Sequence, residues 1–307
     1  MIFLAKHSII TVKIFREIIM KKIKISTDST ADIPVDVREK YDISVLPLTI
    51  IADGKEYKDS YDITPIEFYN LMEECKDTPT SSQVATSVYT EFFEKCLKDG
   101  YTDIIHTTLN SKGSGTYQAA VLSRDLFYEE NPDAENQLKI HIIDSKLYTM
   151  AYGWAVVDAA QKVQNGENDV EKIIADIEEW VENARATFVP MTLKYVKKSG
   201  RVSAAAAFVG DALGLKPVIS FENGESVVLT KIRGEKNAVD GLLKMVKEVM
   251  KPNTPYVLIL GSNQERNEAF RVAAENTLGT PPAMECQVGC IIAINSGHDM
   301  VGITYRK

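Results

Sequence analysis

Asn110-Ser111-Lys112-Gly113-Ser114-Gly115-Thr116 places two glycines and the hydroxyls of Ser114 and Thr116 after an apolar run and ahead of a helical pattern. Free backbone N–H groups at a helix start, with hydroxyls beside them, are a means of holding a phosphate or a carboxylate. The same residues also fit a tight turn in which Ser114 or Thr116 simply caps the helix. No G-x-x-x-x-G-K-[ST] or G-x-S-x-G occurs in the chain, so the stretch is neither a nucleotide P-loop nor a hydrolase elbow.

Two further polar clusters carry chemistry. Thr80-Ser81-Ser82-Gln83 precedes a helical stretch, where an N-cap is the plain reading. Lys197-Lys198-Ser199-Gly200-Arg201 runs into Val202-Ser203 and four alanines. Lysines at a helix end complement its dipole, whereas the Arg201 fork suits a carboxylate or phosphate. The alanines permit close approach of another element. The histidines are His7, His106, His141 and His298; His106 and His141 sit within apolar strands and read as core residues, so no Ser-His-Asp set can be assembled. Cys75, Cys96, Cys286 and Cys290 form no C-x-x-C, which argues against a structural metal and for reduced thiols.

The elements that must position these residues alternate from Lys22 onward. Strands are expected at Ile23 and following residues, at Ile43 to Ile51, Asp103 to Leu109 and Lys139 to Ile143. Helices are expected near Pro34 to Lys40, from Thr64 (a capping box with Pro65 in the first turn) and over Val88 to Lys98. Strands separated by helices argue for βαβ units and a parallel sheet, whose ligands bind outside the carboxyl ends of the strands. Asp28-Ser29-Thr30, the 110–116 loop and Asp144-Ser145 all fall at such ends. Tyr148 to Arg185 reads as helical, with Val170, Ile173, Ile174, Ile177 and Val181 on one face.

The second half has a different texture. Asn223-Gly224, like Asp53-Gly54 in the first half, is a hairpin turn, here flanked by Val218 to Phe221 and Val227 to Leu229. Helices follow over Val239 to Met250 and Asn263 to Ala274, with strands at Tyr256 to Leu260 and from Cys286 to Tyr305. The fold class is thus α/β in two domains. Residues 22–170 form an N-terminal three-layer α/β/α unit with a mainly parallel sheet, and residues 171–307 a two-layer α+β unit with a mixed sheet. The boundary lies within 165–185, and residues 1–21 are an extension without assigned function.

Of 307 residues, 45% are apolar and 25% charged, and 35 Lys plus Arg against 43 Asp plus Glu give a net charge of −8. Such a surface has little attraction for nucleic-acid phosphates. No apolar run approaches the roughly 18 residues of a membrane span, and no signal-peptide pattern is present, so a cytoplasmic protein without stable membrane insertion is expected.

Thr27-Asp28-Ser29-Thr30-Ala31-Asp32-Ile33-Pro34, Ser114-Gly115-Thr116-Tyr117-Gln118, Lys197-Lys198-Ser199-Gly200-Arg201-Val202-Ser203 and Gly214-Leu215-Lys216-Pro217-Val218-Ile219 together resemble the DegV family of bacterial fatty-acid-binding proteins. The resemblance implies a long-chain fatty acid in an internal tunnel between two domains, without a cofactor. It also implies an ATP-binding fatty acid kinase subunit as partner, which phosphorylates the bound carboxylate for phospholipid synthesis. By the same resemblance the carboxylate-binding residues are Ser114, with Gly115 and Thr116, Ser81 or Ser82, and Arg201. Where the family ends in H-x-G-P-G, this chain has Asn295-Ser296-Gly297-His298-Asp299. Either Asn295 replaces the family histidine or His298 fills its role from a shifted loop. Burying about fourteen methylenes at roughly 0.8 kcal/mol each gives on the order of 11 kcal/mol gross, so the hydrocarbon would supply affinity and the head group orientation. A competing enzyme reading rests on a likeness to the substrate domains of dihydroxyacetone kinases and would make the chain a small-molecule phosphotransferase or a hydrolase.

Overall fold

The computed structural model describes residues 21–202 and 214–307. The strands are β1 (Ile23–Asp28), β2 (Ser44–Leu46), β3 (Thr49–Ala52), β4 (Lys55–Lys58), β5 (Thr80–Ser82), β6 (Asp103–Thr108), β7 (Lys139–Asp144), β8 (Ala184–Pro190), β9 (Leu215–Glu222), β10 (Glu225–Arg233), β11 (Val257–Leu260), β12 (Met284–Gln287) and β13 (Met300–Arg306). The helices are α1 (Val35–Lys40), α2 (Pro65–Glu74), α3 (Thr86–Lys98), α4 (Thr116–Glu130), α5 (Met150–Gln164), α6 (Val170–Asn183), α7 (Val196–Ser199), α8 (Glu235–Val249), α9 (Gln264–Leu278) and α10 (Cys290–Ser296).

Among the described residues three sheets result. The first is fully parallel, in the order β2-β1-β6-β7, and every residue of β1 and β6 is buried, as both faces are covered by helices. A small antiparallel sheet, β4-β3-β5, adjoins it, and the third is mixed, in the order β10-β9-β8-β13-β11-β12. The two-domain α/β architecture, with a parallel sheet first and a mixed sheet second, is the one expected from the sequence.

The mixed sheet separates its side chains by the period of two that a strand imposes. Val189, Val218, Leu258, Leu260, Val301 and Ile303 pack under α8 and α9, while Ala186, Phe188, Phe221, Ile259 and Met300 face the first domain. The central strands β8, β11 and β13 are therefore buried on both faces, whereas β10 at one edge of the sheet is largely open to solvent. Helix α5 lies between the two large sheets, touching β1 on one side and β8, β11 and β13 on the other. It is buried almost all round, and its small residues allow the approach: a Cβ on Gly153 would stand 2.5 Å from the Ala31 carbonyl oxygen.

Local signals behave as expected in several places. Thr64 and Glu67 form the reciprocal capping box with Pro65 in the first turn. Asp53-Gly54 and Asn223-Gly224 take positive φ at both central residues, the turn that lets the strands keep their twist. Elsewhere the structure departs from expectation. Tyr148 to Arg185 is two helices, broken where Gly166 turns with φ 96°, and α6 restarts on the Asp169 side chain, which accepts the Lys172 N–H at 3.0 Å. Thr80-Ser81-Ser82 is not an N-cap but a strand paired with Thr49 to Ile51; α3 begins after Ala85 with no side-chain cap. Cys290 to Ser296, expected within a strand region, is a helix, since a short apolar run carries no period that tells the two apart. Residues 1–20, Ser203 and the four alanines lie outside the described residues.

Candidate functional site

The β1, β6 and β7 strands end together, and the polar clusters at their ends meet. Asp28 is wholly buried and accepts from the Leu109 N–H at 2.7 Å, the Thr30 N–H at 3.0 Å and the Tyr152 hydroxyl at 2.8 Å. Burial pushes its carboxyl above the usual range against the pull of these hydrogen bonds. Ser29 Oγ accepts the Leu48 N–H at 3.1 Å. Asp144 accepts from Ser111 N–H and from Lys146 N–H, both at 3.0 Å. These two clusters thus bind the loops to one another.

The 110–116 loop uses more of its own donors than its sequence suggests. Gly113 N–H and Ser114 N–H both donate to the Asn110 carbonyl, at 3.0 and 3.2 Å, and Lys112 N–H donates to Asn110 Oδ1 at 3.1 Å. Thr116 N–H donates to Ser114 Oγ at 3.3 Å, and the two hydroxyls stand 2.9 Å apart. The expected row of free N–H groups is therefore largely closed, and side-chain hydroxyls are what the loop offers. Its glycines serve close approach: a Cβ on Gly113 would overlap the Tyr148 hydroxyl, and one on Gly115 would overlap the Gln83 amide.

Against this loop lies a cavity of about 370 Å³, within the range of small-molecule sites. Its polar lining comes from Ser81, Ser82 and Gln83 on and after β5, from Gly113, Ser114 and Gly115, from Tyr148 and Thr149 after β7, from Arg201, and from Asn295 and Ser296 on α10. Its apolar lining comes from the inner face of the mixed sheet (Ala186, Phe188, Phe221, Ile259, Met300) and from Leu48, Leu109, Val202, Ile291 and Ile292. Gly115 lies against the Gln83 side chain, so the 113–115 turn and the end of β5 meet at the cavity. Arg201, at the exposed rim, donates from Nε to the Gly113 carbonyl at 3.3 Å and from Nη1 to the Ser199 carbonyl at 3.1 Å. Lys112, also exposed, pairs with Glu225 at 2.9 Å.

The sequence candidates divide. Ser81, Ser82, Ser114, Gly115, Arg201 and Asn295 all line the cavity. Thr116 is buried behind it, bonded to Ser114. His298 is elsewhere: its ring stacks on Tyr69 at 5.2 Å, Nε2 lies 2.8 Å from Glu73 Oε1 and Nδ1 lies 2.9 Å from Ser262 Oγ. Of the two alternatives at the family's histidine, the residue at the cavity is Asn295, whose Nδ2 donates to the Ile291 carbonyl at 2.7 Å. Gln83, Tyr148, Thr149 and Ser296 also line the cavity without having been singled out as binding residues. Only Gln83 had a signal, in the polar run it closes. Thr149 holds φ 51° and ψ −150°, a region costly to a β-branched residue.

No described histidine serves Ser114 as a base. His106 is buried between Ser26 Oγ at 3.0 Å and the Tyr89 hydroxyl at 3.3 Å, and burial drives it down to about 3, so it stays neutral as a core residue. His141 pairs with Asp103 at 3.1 Å. Among the described residues no group of three or more His, Cys, Asp or Glu could hold a metal ion, and no helix is long and apolar enough to cross a membrane.

A family model described as "Uncharacterised protein, DegV family" matches residues 22–307. This chain belongs to the DegV family. Among its relatives, a DegV domain-containing protein of Clostridium perfringens is 34% identical over 291 residues, spanning 93% of this chain and 99% of that protein. Among solved structures, a stearic acid-binding protein from Eubacterium ventriosum superposes with a TM-score of 0.84 at 26% identity, covering 94% of this chain and 99% of that one. DegV from Bacillus subtilis, described as a fatty acid binding protein, gives 0.79 at 26% identity, covering 94% of this chain and 100% of that one.

Proposed function

We propose that this DegV protein binds a long-chain fatty acid between an N-terminal domain of residues 22–170 and a C-terminal domain of residues 171–307. The hydrocarbon lies along the inner face of the mixed sheet, and the carboxyl group sits at Ser114, Gly115, Ser81, Ser82, Asn295 and Arg201, with Thr116 orienting the Ser114 hydroxyl. The chain has no catalytic role of its own. It presents the carboxyl group to a separate ATP-binding fatty acid kinase subunit in the cytoplasm, for acyl-phosphate formation.

The observation that carries this reading is the composition of one cavity: an apolar wall from four strands joined to a cluster of hydroxyls and amides. Apolar walls gain roughly 0.8 kcal/mol per buried methylene, while an acid group leaving water needs hydrogen-bonding partners. The Eubacterium and Bacillus proteins that superpose on this chain are described as fatty-acid binders, which supports the same ligand class here. Arg201 at the rim brings a cation to the 113–115 turn, through its bond to Gly113.

Protein purified from bacteria is expected to release a fatty acid into an organic extract, identified by mass spectrometry; extracts free of acyl chains, with no binding of added stearate, defeat the proposal. Ser114→Ala is expected to weaken stearate binding by about 1 to 3 kcal/mol, the cost of a lost hydrogen-bond partner in a buried site. Unchanged affinity in that variant removes Ser114 from the head-group site. Capture of an ATP-binding subunit by the acid-loaded protein tests the carrier role separately.

A further inference from the structure

Asn110 has no exposed surface, and its side chain ties together three separate segments that line or border the cavity. Nδ2 donates to the Gly224 carbonyl at 2.7 Å, at the tip of the β9–β10 hairpin, and to the Tyr148 hydroxyl at 3.0 Å, after β7. Oδ1 accepts the Lys112 N–H at 3.1 Å within its own loop. Its backbone carbonyl accepts the N–H groups of Gly113 and Ser114, and its own N–H donates to the Leu147 carbonyl at 2.9 Å. Both amide hydrogens, both oxygens and the backbone N–H are thus in use, which is the full capacity of the residue apart from spare lone pairs.

The fit at the hairpin is tight from both sides. Gly224 takes φ 79°, and a Cβ there would stand 2.8 Å from Asn110 Oδ1. Asn223 and Gly224 form a turn whose strand β9 carries Phe221, and Phe221 packs on Tyr148 with ring centroids 4.6 Å apart. The hairpin of the second domain therefore presses on the Tyr148 ring, and the Tyr148 hydroxyl fills the space above Gly113. Gly113 and Ser114 are in turn hung from the Asn110 carbonyl. One buried amide sets where the Ser114 hydroxyl stands relative to the second domain.

We infer that Asn110 is a positioning residue for the acid head group: through Gly224 and Tyr148 it locks the 113–115 turn against the β9–β10 hairpin, and so holds Ser114 in place without touching the ligand. This rests on the fatty-acid reading above. A positioning role differs from a general structural one in its ligand dependence. If Asn110 acts by holding the turn, its loss affects ligands that need the turn and spares those held by the hydrocarbon alone.

The test uses the full chain stripped of lipid, with stearate and stearyl alcohol as probes in competition against a fluorescent acyl analogue. Asn110→Ser shortens the side chain without adding charge, and Gly224→Ala pushes the hairpin off Asn110 from the other domain. Each is expected to weaken stearate by about tenfold and the alcohol by less than about threefold, the former being the usual loss for one buried hydrogen-bond partner. Glu225→Gln, which removes only the exposed pair with Lys112, is expected to leave the ratio of the two affinities unchanged. Variants with wild-type melting behaviour and an unchanged ratio overturn the inference, as does an equal loss for acid and alcohol. Should Asn110→Ser fail to fold, Gly224→Ala alone decides. A wild-type protein that binds the alcohol as tightly as the acid defeats the head-group reading itself, a result distinct from failure of the variants.

Discussion

Ala186→Trp is expected to lower stearate affinity on the order of 100-fold while leaving decanoate much less affected. Ala186 is buried on the cavity face of β8, two residues from Phe188 on the same face and beside Phe221 on β9. A large ring there occupies space that a long chain would fill. Excluding about four methylenes at roughly 0.8 kcal/mol each removes about 3 kcal/mol, or two decades in the dissociation constant. A shorter acid retains the head-group contacts and loses fewer methylenes. Ala186→Leu is expected to give an intermediate loss, and a melting curve confirms that each variant folds. Equal weakening of long and short acids, or none, shows that the hydrocarbon lies elsewhere.

Asp59→Asn is expected to stabilise the protein near neutral pH and to have no such effect in acid. Asp59 is 1% exposed, and neither carboxyl oxygen makes a hydrogen bond of ordinary geometry. Burial pushes it from 3.8 up to about 6, against the pull of the nearby Ser29 hydroxyl and Cys290 thiol. Because the folded value is the higher one, the native state binds the proton more tightly than the unfolded chain does. Its contribution to stability is complete below 3.8 and is lost as pH rises through about 6. Above that, the buried charge costs on the order of 3 kcal/mol, which an amide of the same shape avoids. Melting temperatures at pH 4 and pH 8 check this. The variant should exceed the parent by several degrees at pH 8 and converge with it at pH 4. A parent protein equally stable at both values, with no gain in the variant, contradicts the assignment. Burial raises Asp28 and Asp32 as well, so the parent's stability should decline in the same direction.

The sequence located the loop and the arginine but did not show how they would be held. Its reading of 110–116 as a row of open N–H donors counted the donors correctly and missed that Asn110 takes three of them. The choice between Asn295 and His298 could not be made from spacing, because the two residues are three apart on either side of a glycine whose φ of 83° turns the chain. Asn295 ends up on the cavity and His298 on Tyr69 and Glu73, both of α2. Thr80 to Ser82 looked like a cap because Ser and Thr are good at capping; pairing with β3 overrode that local preference.

What the chain settled locally was what short-range physics can settle. The Asp53-Gly54 and Asn223-Gly224 turns, the Thr64 capping box and the alternation of strands with helices each depend on neighbours a few residues apart, as do the polar ends of β1, β6 and β7. The contacts that make a site join residues far apart in sequence: Gly113 with Arg201, Asn110 with Gly224, Phe221 with Tyr148. Their geometry follows from how the two large sheets sit about α5 and which face of each strand turns inward. Side-chain burial at those distances is a property of the packed molecule, so only the tertiary structure could decide it.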